Sequence, residues 1–373
     1  VIRVKSGELR IGMTLPWTVY DGAGRLLLRE GCTLSSEHQV SVLIARGLYR
    51  QADDGQIEEA DDILPKGRPP TPFELFYEFA SRLDALFSQI EQKQGGCGRS
   101  LLKLCTDLQQ LCASAPDAAL GAVHLCNDGP YPVYHPLHVA VLCELVARRL
   151  KYPDEIRTDT VAAALTANVS MRDLQGKLHK QSSPLDEAQR AAIARHPDES
   201  ARMLREAGVT NDRLLMLVGQ HHELPDGSGY PQGRTRDAIA AETLVLGMAE
   251  SYATMVSGRA YRKPLPAKDA LRRFLLARGR QYDETLSQVF IKVLSVYPPG
   301  AFVKLENGET AVVIKRAGDD TLHPVVSSYM SQKGTLYTQP RHYDTRQPGF
   351  AIKEDCAPDY RVQTMMNMLW GYS

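Results

Sequence analysis

His221-His222-Glu223-Leu224-Pro225-Asp226-Gly227-Ser228-Gly229-Tyr230-Pro231 is the stretch on which the reading of this chain turns. Two adjacent histidines stand beside acids, the raw material of a metal site or an acid/base site. Gly227, Gly229 and Pro231 mark a loop of defined shape rather than a continuing helix. The apolar run Leu214 to Val218 leads directly into the histidine pair, so helix gives way to a chemically loaded turn.

Outward from that turn the pattern is helical, from about Pro72 to Tyr297. Leu75, Phe76, Phe79, Leu83, Leu86, Phe87 and Ile90 recur at helical spacing, and Leu101, Leu104, Leu108 and Leu111 repeat it. His138 to Leu150 and Val161 to Val169 read as apolar helices. Pro136, Pro153, Pro184 and Pro197 are placed at helix starts, where proline is tolerated. The expectation is an all-α bundle over 72–297. After Pro298-Pro299-Gly300 the period changes to alternation. Phe302 to Leu305 and Ala311 to Lys315 flank Asn307-Gly308, a strong hairpin signal. Further strands are expected at Thr321 to Ser327 and Thr335 to Tyr337. These predict a small, barrel-like β module over 298–345, followed by a tail, 346–373, that closes with a short helix at Val362 to Leu369.

At the other end, 1–52 reads as a small α+β domain. Ile11 to Leu15 and Arg25 to Leu28 are candidate strands around the turn Asp21 to Gly24, and Ser35 or Ser36 caps a helix through Val40 to Ile44. Residues 53–71 form a linker: six acids between Asp53 and Asp62, then Pro65, Pro69 and Pro70. The fold class is thus multi-domain and mainly α, a helical bundle flanked by an N-terminal α+β domain and a C-terminal β module.

Composition narrows the function. Lys+Arg and Asp+Glu both number 44 in the 373 residues, so no basic field argues for nucleic acid or a membrane surface. There is no apolar run of about 20 residues to span a bilayer, and Val1 to Ser6 has no signal-peptide core. The seven cysteines are scattered without a C-x-x-C pair, which suits buried free thiols and a cytoplasmic setting.

The motif resembles the signature of the HD-GYP family, whose members hydrolyse the bacterial messenger cyclic di-GMP. The resemblance covers roughly Pro130 to Tyr297 and implies an HD-type helical bundle. The small domain before it resembles one that often precedes HD-GYP domains. Residue by residue, the resemblance makes His135, His196, His221 and His222 metal ligands, with Glu250 where the family has a late aspartate ligand. It makes Tyr230, Arg259 and Arg262 contacts for the nucleotide. It also makes Asp226, Gly227, Gly229, Tyr230 and Pro231 a loop associated with docking to diguanylate cyclase partners.

The chain departs from the family where the His-Asp motif should lie. Ala167 stands for the histidine and Asn168 for the bridging aspartate; Ser170 and Met171 replace a glycine and a phosphate-contacting lysine, and Tyr131 falls where an early glutamate ligand belongs. Alanine cannot coordinate, and a neutral amide cannot hold two cations against their repulsion. What remains is a three-histidine site for one ion, zinc, nickel, iron or manganese, or a set of hydrogen-bonded relics. Glu250 is free to pair with His135. Tyr131 and Met171 are expected to narrow the pocket at Asn168 below the size of the messenger. The leading expectation is a catalytically inactive HD-GYP protein, a sensor of cyclic di-GMP or a protein scaffold. The alternative is a metal-dependent phosphodiesterase with an altered centre.

Overall fold

A computed structural model describes residues 2–3, 13, 15, 17–20, 26–28, 49–50, 69–258 and 262–372. It divides into two compact units, Val1–Pro70 with Tyr360–Met365, and Thr71–Asp359 with Met366–Ser373.

The first unit carries a four-stranded sheet of β1 (Ile2–Arg3), β2 (Val19–Tyr20), β3 (Leu26–Leu28) and β4 (Tyr49–Arg50), in the order β1-β4-β2-β3. The strand expected at Arg25 to Leu28 is present as β3. Its partner lies at Val19–Tyr20, whereas Met13 and Leu15 carry no strand pairing. The expected helix near Val40 to Ile44 and most of the linker 53–71 lie outside the described residues.

The second unit is mainly helical. Helix α1 (Pro72–Glu91) opens with a capping box, in which Thr71 and Glu74 exchange side-chain-to-backbone bonds and Pro72 takes the first turn. Its apolar stripe buries Phe73, Phe76, Phe79, Leu83, Leu86, Phe87 and Ile90. Helices α2 (Cys97–Ser114) and α3 (Pro116–Leu125) follow. Then come α4 (Tyr131–Arg149), buried along nearly its whole length, α5 (Asp154–Thr166), and a 3-10 turn at Val169–Met171. A helix buried on all sides has no solvent face and forms the centre of a bundle. Around it run α6 (Arg172–Lys180), α7 (Glu187–Glu206), α8 (Asp212–Gln220), α9 (Ala241–Val256), α10 (Ala267–Ala277) and α11 (Glu284–Leu294).

Two prolines correct the expected boundaries. Pro153 does precede α5, but Pro136 lies inside α4 and Pro197 inside α7. Each helix continues through its proline because flanking turns are held by packing against the core, which outweighs one lost backbone bond.

The β module is an open antiparallel sheet, order β8-β7-β6-β5-β9, rather than a barrel. Strands β5 (Phe302–Leu305) and β6 (Thr310–Ala317) form the expected hairpin, with Gly308 at φ +82° in its turn. Strands β7 (Asp320–Met330) and β8 (Leu336–Asp344) continue the meander. The last strand, β9 (Ile352–Asp355), comes from the segment read as tail and pairs with β5. Val303, Leu305, Ala311, Val313 and Val326 form the buried face of the sheet. Arg316 anchors it to α3 through Asp117 at 2.5 Å. The final helix, α12 (Met366–Trp370), seats the Trp370 indole edge-on to Phe73, 5.0 Å between centroids. Gly121 of α3 lies beneath that ring, where a Cβ would sit 2.7 Å from the indole.

Candidate metal centre

His196 projects from the middle of α7, and His221 and His222 follow the last residue of α8. Their ligand atoms all lie within 4.8 Å of one another. The tautomers are set by the helices. His196 Nδ1 lies 2.6 Å from the Ile193 carbonyl and His221 Nδ1 lies 2.6 Å from the Val218 carbonyl. A carbonyl only accepts, so both rings carry their hydrogen on Nδ1 and present a bare Nε2. Those two Nε2 atoms face each other at 3.1 Å. Two lone pairs at that separation repel unless a cation or a proton sits between them.

A proton is disfavoured. Burial, followed by the charge of His221, takes His196 down to about 3. Burial likewise lowers His221, and it lowers His222 well below the usual histidine range, with His221 and His196 adding to the effect. Three neutral imidazoles gathered together, two of them braced through Nδ1 so that Nε2 stays bare, fit a borderline transition metal such as zinc, nickel or iron.

The loop after the pair is built to finish this site. Glu223, nearly fully buried, accepts hydrogen bonds from the backbone of Gln232 and Arg234, both at 2.7 Å, and so closes the loop on itself. Asp226 accepts from the Ser228 backbone at 3.0 Å, and Gly227 adopts φ +77°. A Cβ on Gly229 would lie 2.5 Å from the His222 carbonyl and closer still to the Leu224 nitrogen, so only glycine fits. The Tyr230 N–H then bonds that carbonyl at 3.1 Å, and its ring stacks on His222 at 4.6 Å. Pro231 follows through a cis peptide bond. Tyr230 is therefore a wall of the site, and burial raises its phenol above the usual range.

On the opposite side, Ala167 is fully buried and offers no donor atom. Asn168 donates from Nδ2 to Glu250 Oε1 at 3.2 Å, and His135 Nε2 donates to the same oxygen at 2.8 Å. Burial opposes ionisation of Glu250, but the charge and hydrogen bond of His135 hold its carboxyl well below the usual carboxylate range. Glu250 Oε2 is buried and has no hydrogen-bond partner. His135 and Glu250 thus form a pair with each other, beside the histidine trio rather than in it.

A cavity of about 270 Å³ opens between the two sides, lined among others by Tyr131, Asn168, Met171, Gln175, His179 and Tyr230. Tyr131 stacks on His135 and on His179, each at 4.7 Å. Sequence reasoning left His179 without a site role; a lone histidine on a short helix carries no motif. It also missed Gln175, whose Oε1 is buried without a partner in the cavity wall. Ser170 is a brace: its Oγ donates to the His196 carbonyl at 3.1 Å and meets Ser200 Oγ at 2.9 Å. Arg262 turns its guanidinium onto the Thr254 carbonyl, and Arg259 lies outside the described residues.

Known proteins are similar to parts of this chain. The HD domain family matches residues 101–286. The chain is 28% identical over 221 residues to a cyclic di-GMP phosphodiesterase of Pseudomonas aeruginosa, covering 59% of this chain and 53% of that protein. It is 30% identical over 142 residues to a 3'3'-cGAMP-specific phosphodiesterase of Vibrio cholerae, covering 38% of this chain and 31% of that one. The alignments thus span about half of the first relative's length and a third of the second's. Among solved structures, an HDG"Y"P protein from Bdellovibrio bacteriovorus aligns at TM-score 0.49 and 15% identity, over 79% of this chain and 99% of that one.

Proposed function

The chain belongs to the HD-GYP family of HD domains, and we propose that it is a member that binds a cyclic dinucleotide at a one-metal site without hydrolysing it. The observation that carries this reading is the division of the site: the ligand atoms of three histidines gather on one side, two of them bare Nε2 atoms, and on the other Glu250 Oε1 is already taken by His135 and Asn168. A metal ion held by His196, His221 and His222 would supply a Lewis acid for a phosphate oxygen. Ala167 and Asn168 supply no bridging carboxylate for a second ion. The Asn168 amide even points its N–H₂, the wrong end for a cation, at Glu250.

Binding has support of its own. Tyr230, which lines the cavity, offers an aromatic face for a base. At about 270 Å³ the cavity falls just under the ~300–1,000 Å³ usual for ligand pockets, so it takes in part of a dinucleotide and leaves the rest outside. A protein-docking role for the loop Asp226 to Pro231 is the second reading, favoured by the exposure of Asp226 and Ser228 at its tip.

The test is calorimetric titration of cyclic di-GMP into protein of known metal content, with product analysis on the same sample. Binding with about one metal ion and no linear product is the expected result. Turnover with added manganese or iron would replace this reading by a working phosphodiesterase. Absence of binding would leave the docking role.

A further inference from the structure

We infer that Pro197 is a positioning residue for the metal centre: it has no N–H, so it leaves the Ile193 carbonyl free to hold His196 in the form that presents Nε2 to the ion. The inference rests on the metal-binding reading above.

In a regular helix the carbonyl of residue 193 accepts the N–H of residue 197. Here residue 197 is proline, inside a helix that runs from Glu187 to Glu206. An interior proline weakens a helix, both by the missing bond and by the clash of its ring with that same carbonyl. The vacated acceptor does not stay empty. His196 Nδ1 fills it at 2.6 Å, and His196 has little other freedom, since its ring is buried and its own carbonyl accepts from Ser170.

The second ligand reaches the same state by another route. His221 Nδ1 binds the Val218 carbonyl, also three residues back and also at 2.6 Å. That carbonyl lies in the last turn of α8, which ends at Gln220, where carbonyls lose their regular donors. One helix stops and the other carries a proline; each thereby exposes the acceptor that its histidine needs.

His135 shows that the proline provides the acceptor without compelling its use. It too is followed by a proline, Pro136, yet its Nδ1 is buried without a partner and its Nε2 binds Glu250. There the carboxylate decides the tautomer. At His196 no carboxylate competes for Nε2, and the carbonyl decides.

Pro197→Ala in the full chain tests the assignment, because its two consequences have opposite signs. Restoring the N–H should raise the thermal midpoint of the metal-free protein. It should also weaken zinc binding about 10–100-fold, the usual cost of disturbing a ligand's outer partner, measured by competition with a chromophoric chelator. Nitrogen-15 spectra of the imidazoles should show His196 moving from the Nδ1–H form to a mixture. Unchanged zinc affinity, or an unchanged Nδ1–H His196, would overturn the inference. A midpoint that falls together with zinc affinity would also overturn it, marking a proline needed only for folding. If the unsubstituted protein takes up no zinc, the metal reading fails, and the tautomer spectra still decide the role of Pro197.

Discussion

On the side of the site built by α7 and α8, His196 and His221 keep their hydrogens on Nδ1 and leave Nε2 bare. On the side built by α4 and α9, His135 keeps its hydrogen on Nε2 and gives it to Glu250. The same side chain is set to present a bare nitrogen in one place and as a counter-group in the other, by what its second nitrogen meets. Backbone carbonyls do the setting on the first side, a buried carboxylate on the second. With Ala167 and Asn168 between them, both sides are still ordered. Glu250 Oε1 is taken by His135 and Asn168, and His196 and His221 point their bare Nε2 atoms at each other.

The largest effect should come from the ligand side. His221→Ala should weaken zinc binding at least ~1,000-fold, about 4 kcal/mol, in chelator competition; retention of near-native affinity would mean that the trio is not the metal site. On the other side, His135→Ala leaves Glu250 buried without its main partner and should cost about 3–5 kcal/mol of stability in urea unfolding, with zinc affinity changed far less. Equal losses of metal from both variants would erase the distinction between the sides.

Acid should act on the ligand side. Metal-free His196 titrates near 3 because it is buried beside His221, against ~6.5 in an unfolded chain. Between those values the unfolded state binds more protons. The contribution to stability is whole above about pH 6.5 and is lost as pH falls toward 3. The depressed Glu250 adds a loss in the same direction at lower pH, below the ~4.3 of a free glutamate. Unfolding midpoints in chelator should decline steadily from pH 7 to 4, and a flat profile would show that these imidazoles are not held buried and neutral.

Asn168→Asp places a second carboxylate against Glu250, replacing a donor by a like charge. The metal-free thermal midpoint should drop by about 5 °C, the size of a ~2 kcal/mol loss in a domain this large, and manganese should restore it. Failure of manganese to do so would show that the side cannot be rebuilt by charge alone. The smallest effect is expected at the loop, where Gly229→Ala forces the backbone apart for about 1–2 kcal/mol; unaltered stability and zinc affinity would show that the loop yields without moving Tyr230.

The motif His221 to Pro231 made the loop and the histidine pair legible, since glycine spacing and adjacent imidazoles leave few alternatives. The helical period and the Asn307-Gly308 turn made the bundle and the β5–β6 hairpin legible in the same way. Other parts left no local trace. Pro136 and Pro197 look like helix starts because the turns before them are held by distant packing, which no window of sequence contains. Strand β9 is short and includes Lys353, Glu354 and Asp355; an edge strand shows charge rather than alternation. The tautomers depend on carbonyls that are free only once the helices exist. Glu223 was visible as an acid, but its role as the anchor of Gln232 and Arg234 needed the loop to be closed.

The seat of Trp370 on Gly121 and Phe73 has a consequence for synthesis. Phe73 opens the first helix of this unit, and Trp370 is made almost three hundred residues later. A ribosome delivers the bundle's helices in order, yet the patch around Phe73 stays bare until residue 370 emerges. Contacts of such sequence separation form late and slowly, and exposed apolar surface on an unfinished chain invites aggregation. Shortening the chain before Met366 should therefore harm yield in the cell more than it harms the zinc affinity of the molecules that do fold.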